Sequence, residues 1–192
     1  MGRSKGLFKY NFKKVIMKKI NVIDLDNTLI PFDSFKFLVI EEMKKMNIIV
    51  IILTILRKMR LIKLANFKYL ITTKLRLVDN QDKLNQICDK ISELMSEVIL
   101  EKVNKYSGED TMNILCSASS EEYVKIIAEK LGWEGYGSHF VGNFFFHMYG
   151  TNKADFIKSK FPQKDYIYNF AISDSETDLE LLKLFKIWEL YK

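Results

Sequence analysis

Ile20-Asn21-Val22-Ile23-Asp24-Leu25-Asp26-Asn27-Thr28-Leu29 is an apolar run that ends abruptly in two acids. A counterpart stands far along the chain, where the apolar run Tyr166 to Ile172 is followed at once by Ser173-Asp174-Ser175-Glu176-Thr177-Asp178. Short runs of this kind, rich in β-branched and aromatic residues, read as strands. Acids crowded at the ends of buried strands repel one another unless a cation, a phosphate or a proton relieves them. The two segments together therefore point to metal-assisted phosphoryl chemistry.

Working outward, the second half of the chain alternates between the two periodicities. A strand is expected over Met112–Cys116, a helix over Glu121–Leu131, and strands around 137–141 and 143–148. A helix from Lys153 to about Lys160, the strand Tyr166–Ile172, a helix over 178–184 and a strand-like 185–190 complete the pattern. Strands alternating with helices of this length imply an α/β fold, a Rossmann-like parallel sheet with helices on both faces. Between the first strand and this region the text is helical. Helices are expected over 35–46 and 48–64, then through Leu77, and from about Asn80 to Asn104, with Asp33 or Ser34 capping the first. The expected organisation is a basic extension over 1–17, a catalytic core formed by 18–30 and 107–192, and an inserted α-helical cap over 31–106. Such an insertion would lie over the strand ends, where these folds bind ligands.

Composition narrows the field. At 192 residues with two prolines and eight glycines, the chain can bury one good core and does not read as disordered or fibrous. Cys88 and Cys116 lack the spacing of a disulfide framework or a zinc site, and His139 and His147 stand without a nearby Cys or acidic partner. No apolar signal segment opens the sequence, and Gly6 departs from the myristoylation pattern. The expectation is a cytoplasmic protein. Charge is unevenly placed: the first 19 residues carry +7 and residues 44–78 carry +9, so a net +6 leaves −10 for the rest. Two basic surfaces on an acidic body suit an anionic membrane, a phosphorylated substrate or nucleic acid.

Asp24 and Asp26 stand two apart, so an extended backbone directs both carboxylates to one side. One can attack phosphorus while the other handles the leaving-group proton. Asp174 and Asp178 offer hard oxygen ligands suited to Mg²⁺, although acids also favour helix N-termini and Ser175 or Thr177 can cap there. Ser117 ends a third strand, where a hydroxyl and neighbouring N–H groups can hold a phosphate oxygen. Ser119 with Glu122 has capping-box spacing and reads as structural. Lys153 opens a helix after a turn, and a fixed cation among carboxylates and a phosphate has an electrostatic task.

Those four elements, in this order, resemble the haloacid dehalogenase superfamily of phosphohydrolases across about residues 20–30 and 110–185. The resemblance implies that Asp24 is a nucleophile forming an aspartyl-phosphate, and that Asp26 is the general acid/base and gives Mg²⁺ a backbone carbonyl. It further implies that Ser117 and Lys153 bind phosphate, that Asp174 is a metal ligand, that Asp178 supports the metal site, and that Thr28 orders the loop. The helical insertion, with Ser117-Ala118-Ser119 and Leu131-Gly132-Trp133, is most similar to the phosphoserine-phosphatase-like subgroup. Asp33 falls where the serine phosphatases carry a substrate-reading Glu, and their substrate-binding Arg has no traceable match. The insertion also resembles that of bacterial phosphatidylglycerophosphate phosphatases.

The expected function is a Mg²⁺-dependent phosphomonoesterase acting on a small or lipid phosphomonoester. Two alternatives stand beside it, a phosphotransferase or mutase on sugar phosphates and a non-catalytic membrane- or anion-binding protein. Ile48 to Leu56 is the most apolar stretch and falls well short of the ~20 residues of a membrane span. Followed by Arg57, Lys58, Arg60 and Lys63, it reads either as a buried cap helix or as a peripheral contact with an anionic membrane. No nucleic-acid partner is expected.

Overall fold

β1 (Lys18–Ile23) is the strand around which the fold is built, because every side chain from Ile20 to Ile23 is buried. A strand apolar on both faces needs a neighbour on each edge and a layer on each side. In the computed structural model, which describes residues 17–75 and 81–192, β1 has both. The six strands among the described residues run in the order β4-β3-β2-β1-β5-β6. They are β2 (Thr111–Ser120), β3 (Glu134–Val141), β4 (Phe144–Phe146), β5 (Tyr166–Ser173) and β6 (Ile187–Leu190). All neighbours pair in parallel except β4, which folds back antiparallel on β3. Val22 pairs with Ile114 and Ala171, and Ile23 with Leu115 and Ile172, so three strand ends arrive at one level.

Among the described residues five helices lie between β1 and β2: α1 (Ser34–Lys44), α2 (Ile48–Lys58), α3 (Leu64–Leu75), α4 (Gln81–Ser92) and α5 (Glu97–Lys105). Side-chain caps set the starts of three of them, with Asp33 accepting from Lys36 N, Asn47 from Val50 N and Ser96 from Ile99 N. The remaining helices are α6 (Glu121–Lys130), α7 (Thr151–Lys160) and the short α8 (Leu179–Leu182). The core divides at the sheet. One face joins Ile23 and Phe170 to the helices of 31–106 and to α6, while the other joins Ile20 and Val22 to α7 and α8.

Some expected boundaries shift, each for a physical reason. The continuous helix expected over 48–64 breaks after Lys58, where Arg60 takes φ 61° and the Arg57 guanidinium donates to Ile62 O at 3.3 Å. The long helix expected from Asn80 to Asn104 is two helices. Ser96 N donates to Leu29 O at 2.8 Å and the Ser96 hydroxyl caps α5, so the chain turns there. The expected extension, apart from Met17, and the junction of the third and fourth expected helices lie outside the described residues.

Candidate active site

The chain leaves β1 at Asp24 and wraps back on itself. Asp24 N donates to Ile172 O, Leu29 N to Asp24 O and Ile30 N to Leu25 O, while Leu25, Leu29 and Ile30 are wholly buried. Asn27 sits in the left-handed region at φ 54°, which Asn tolerates better than most residues and which tightens the wrap. Asp24 and Asp26 consequently both line an open cleft of about 210 Å³, together with Asp33, Phe35, Leu64, Lys68, Tyr149, Lys153, Asp174 and Asp178.

Lys153 ties the two ends of the sequence together. It stands in the first turn of α7, is buried, and donates to Asp24 Oδ1 at 2.7 Å and to Asp178 Oδ2 at 2.6 Å. Asp178 Oδ2 also accepts from the Ser173 hydroxyl at 2.8 Å. Burial by itself would depress the Lys153 ammonium, but the Asp24 and Asp178 carboxylates outweigh it and hold its pKa above the ordinary lysine value. Burial pushes the Asp24 carboxyl up, Lys153 opposes that, and Asp178 and Asp26 add to the rise. Asp174 is also raised by burial. Thr28, buried, accepts from Asp174 N through its hydroxyl at 2.9 Å, so the two acidic loops hold each other in place.

Asp26 is gripped from the other side. Its Oδ1 accepts from Ser34 N at 2.7 Å, and its Oδ2 accepts from the hydroxyls of Ser119 at 2.7 Å and Ser117 at 3.2 Å. Ser117, expected to face phosphate, is fully buried behind Asp26 and also accepts from Ser119 N. Ser119 does not form the expected capping box. Ser120 holds the cap position of α6 without a side-chain bond, and the Ser119 hydroxyl donates to Asp26 and accepts from Ser34 Oγ, which also meets Tyr123 Oη.

Five carboxylates (Asp24, Asp26, Asp33, Asp174, Asp178) against two ammonium groups (Lys68, Lys153) leave the cleft with three formal negative charges in excess. Among the described residues no three His, Cys, Asp or Glu side chains form a metal-ligand group. The donors that the cleft offers a cation are its carboxylates.

The pattern of the family model for haloacid dehalogenase-like hydrolases matches residues 22–183. The chain belongs to that family. A protein of unknown function from Bordetella pertussis Tohama I superposes with a TM-score of 0.63 at 13% identity, over 91% of this chain and all of that one. A phosphoserine phosphohydrolase-like protein from Francisella tularensis superposes with a TM-score of 0.53 at 16% identity, over 91% of this chain and 95% of that one. A phosphoserine phosphatase solved as a phospho-aspartyl intermediate analogue gives 0.50 at 13% identity, over 92% and 95%. No curated protein matches the sequence. At such identities the structures share the fold, and this haloacid dehalogenase-like hydrolase must be read from its own residues.

Two site residues were illegible in the sequence. Lys68 reads there as one of nine basic residues in an acid-free stretch, yet it is buried, donates to Ala118 O at 2.9 Å and lies over the Phe35 ring. Burial lowers its pKa, against the pull of Asp26 and Asp33. Ser119 was hidden because its spacing to Glu122 suits a cap equally well. The one signal for Lys68 was its neighbour Phe67, whose apolar side chain turns that face of α3 inward.

Proposed function

We propose that this haloacid dehalogenase-like hydrolase is a phosphomonoester phosphatase that works through an aspartyl-phosphate on Asp24. The observation that carries the reading is the buried Asp24–Lys153–Asp178 chain opening onto the same cleft as Asp26 and Asp174. Lys153 occupies Oδ1 of Asp24, which leaves Oδ2 to attack phosphorus in line. As the P–O bond to the leaving group breaks, Asp26 gives the departing alkoxide a proton. The Asp26 carboxylate then takes a proton from water, the hydroxide adds to phosphorus, and cleavage of the P–Oδ bond frees phosphate and restores Asp24. To serve as acid, Asp26 exchanges one of its serine hydrogen bonds for the leaving-group oxygen. The Lys153 ammonium neutralises charge on the phosphoryl oxygens, which is typically worth about 3–4 kcal/mol for a well-placed donor.

Mg²⁺ fits this donor set. The excess of negative charge and the raised Asp174 and Asp24 carboxyls are what a hard cation relieves, and two carboxylates with one carbonyl match an ion that keeps several waters. Asp24, Asp174 and the Asp26 backbone carbonyl would hold it, and Asp178 and Thr28 would steady that set. When bound it supplies charge neutralisation and orientation for the phosphoryl group. The helices of 31–106 act as the cap, with Asp33, Phe35, Leu64 and Lys68 facing the substrate. A small or lipid phosphomonoester suits a cleft that joins a cation to aromatic and aliphatic walls.

A screen of phosphate release from sugar, amino-acid, nucleotide and detergent-dispersed lipid monoesters, with Mg²⁺ and with chelator, tests the reading. Mg²⁺-dependent release from at least one ester is expected. Transfer of phosphate to an acceptor without free phosphate would instead favour a phosphotransferase, and no turnover of any ester would overturn the reading.

A further inference from the structure

The face of α2 that turns outward is apolar and has no partner among the described residues. Ile48, Ile52, Ile55 and Met59, spaced i, i+4, i+7 and i+11, are 68%, 51%, 51% and 63% exposed, and only Val50 of this helix is buried. A surface helix ordinarily turns its isoleucines inward. Here the stripe continues past the helix end through Leu61, 64% exposed, to Leu64, which is itself exposed and lines the cleft. Lys58, Arg60 and Lys63 are exposed around it, and from Lys44 to Leu75 there is no acid at all.

We propose that α2 and the turn after it dock on an anionic lipid surface, with the stripe sunk among the headgroups and acyl chains and the basic residues meeting the lipid phosphates. Charge decides the occupant. A second copy would bring an equally basic rim against this one, and like charges at a shared interface repel. The chain's own first 16 residues hold five basic residues and no acid, so they are repelled as well. An apolar stripe flanked by cations matches the surface of an anionic bilayer on both counts. No described helix is long and apolar enough to cross a membrane, so the contact is peripheral. Because Leu64 belongs to both stripe and cleft, docking sets the cleft beside the membrane surface. A phosphomonoester on a lipid is then the substrate class best served, a consequence that rests on the phosphatase reading above.

Co-sedimentation with vesicles of phosphatidylcholine alone, and of phosphatidylcholine with phosphatidylglycerol, tests the docking without catalysis. The full chain is expected to bind the anionic vesicles about tenfold or more tightly than the neutral ones, with the difference shrinking as salt rises. Ile52→Glu with Ile55→Glu should abolish binding, and Lys58→Glu with Lys63→Glu should remove the preference for anionic lipid. Both variants should hydrolyse a soluble aryl phosphate as the parent does, which shows that they fold. Equal binding to both vesicle types, binding undisturbed by the isoleucine changes, or a concentration-dependent dimer that those changes dissociate would overturn the proposal. Failure of the phosphatase reading would appear separately, as vesicle binding without phosphate release.

Discussion

Asp24 carries the account at the scale of single residues, and its neighbours determine when it is ionised. Burial raises both Asp24 and Asp174, so each binds a proton at a pH where an exposed carboxyl would have lost it. A cation bound there must displace those protons. Mg²⁺ affinity is therefore expected to weaken as pH falls below neutral, with proton release on binding. Calorimetry in buffers of different ionisation heat checks this, and affinity that stays flat down to about pH 4, the ordinary carboxylate range, would contradict it. Ser119 offers a second residue-scale expectation. Removing its hydroxyl by Ser119→Ala frees Oδ2 of Asp26 from its shortest partner. Turnover should fall about tenfold to a hundredfold with little change in KM, and the pH profile should shift with it, because misplacing an acid/base group is costly even without unfolding. That the acids gather in one cleft was legible from their positions at the ends of apolar strands. The serine grip on Asp26 was not, since a hydroxyl before a helix reads the same whether it caps or reaches across to another strand.

Among the elements, β3 shows how backbone proximity supports the site. Gly135 and Gly137 face α6, and a Cβ at Gly137 would stand 2.6 Å from Ser119 O and 2.7 Å from Glu121 N, both backbone atoms that cannot swing aside. Gly137→Ala should destabilise the fold by about 1–3 kcal/mol and disturb the Ser119 end of β2. Thermal unfolding and turnover measured together check it, and an unchanged melting temperature would count against the packing described. The strands themselves were readable from their apolar runs, and β1 most of all. Asn21 is the exception, a wholly buried amide inside that run. It donates to Asn113 Oδ1 at 2.8 Å and accepts from Asn169 Nδ2 at 2.9 Å, so one polar ladder crosses three adjacent strands and also takes in Tyr106 O. Such satisfaction depends on sheet neighbours 92 and 148 residues away, which no local pattern reveals. The helix break at Ser96 was missed for the same reason, since Ser96 turns the chain by bonding to Leu29 O.

For the molecule as a whole, the sheet presents its acids just past the ends of β1 and β5, and Phe35, Leu64 and Lys68 from the helical layer between β1 and β2 line the same cleft. Lys68 reaches from α3 to Ala118 O and the cleft, so it is the residue through which that helical layer can act on an anionic ligand. Lys68→Met keeps the apolar contact with Phe35 and deletes the charge. KM for soluble phosphate esters should rise about tenfold or more, the equivalent of about 1.5–3 kcal/mol for a charged hydrogen bond, with kcat less affected. A fall in kcat at unchanged KM would place Lys68 in the chemical step instead. Fold class was legible at this scale because alternating strands and helices admit few arrangements, and the family match across residues 22–183 agrees with it. Which side chains of the helical layer enter the cleft was not, because helical periodicity alone does not separate a face on the core from a face on a ligand. The proposed mechanism requires that Asp24 become phosphorylated during turnover. Rapid acid quenching of the wild-type protein with a substrate found in the ester screen, followed by peptide mapping, should find a phosphoryl group on Asp24, and Asp24→Asn should yield neither that adduct nor free phosphate. Normal phosphate release by Asp24→Asn would contradict the account outright.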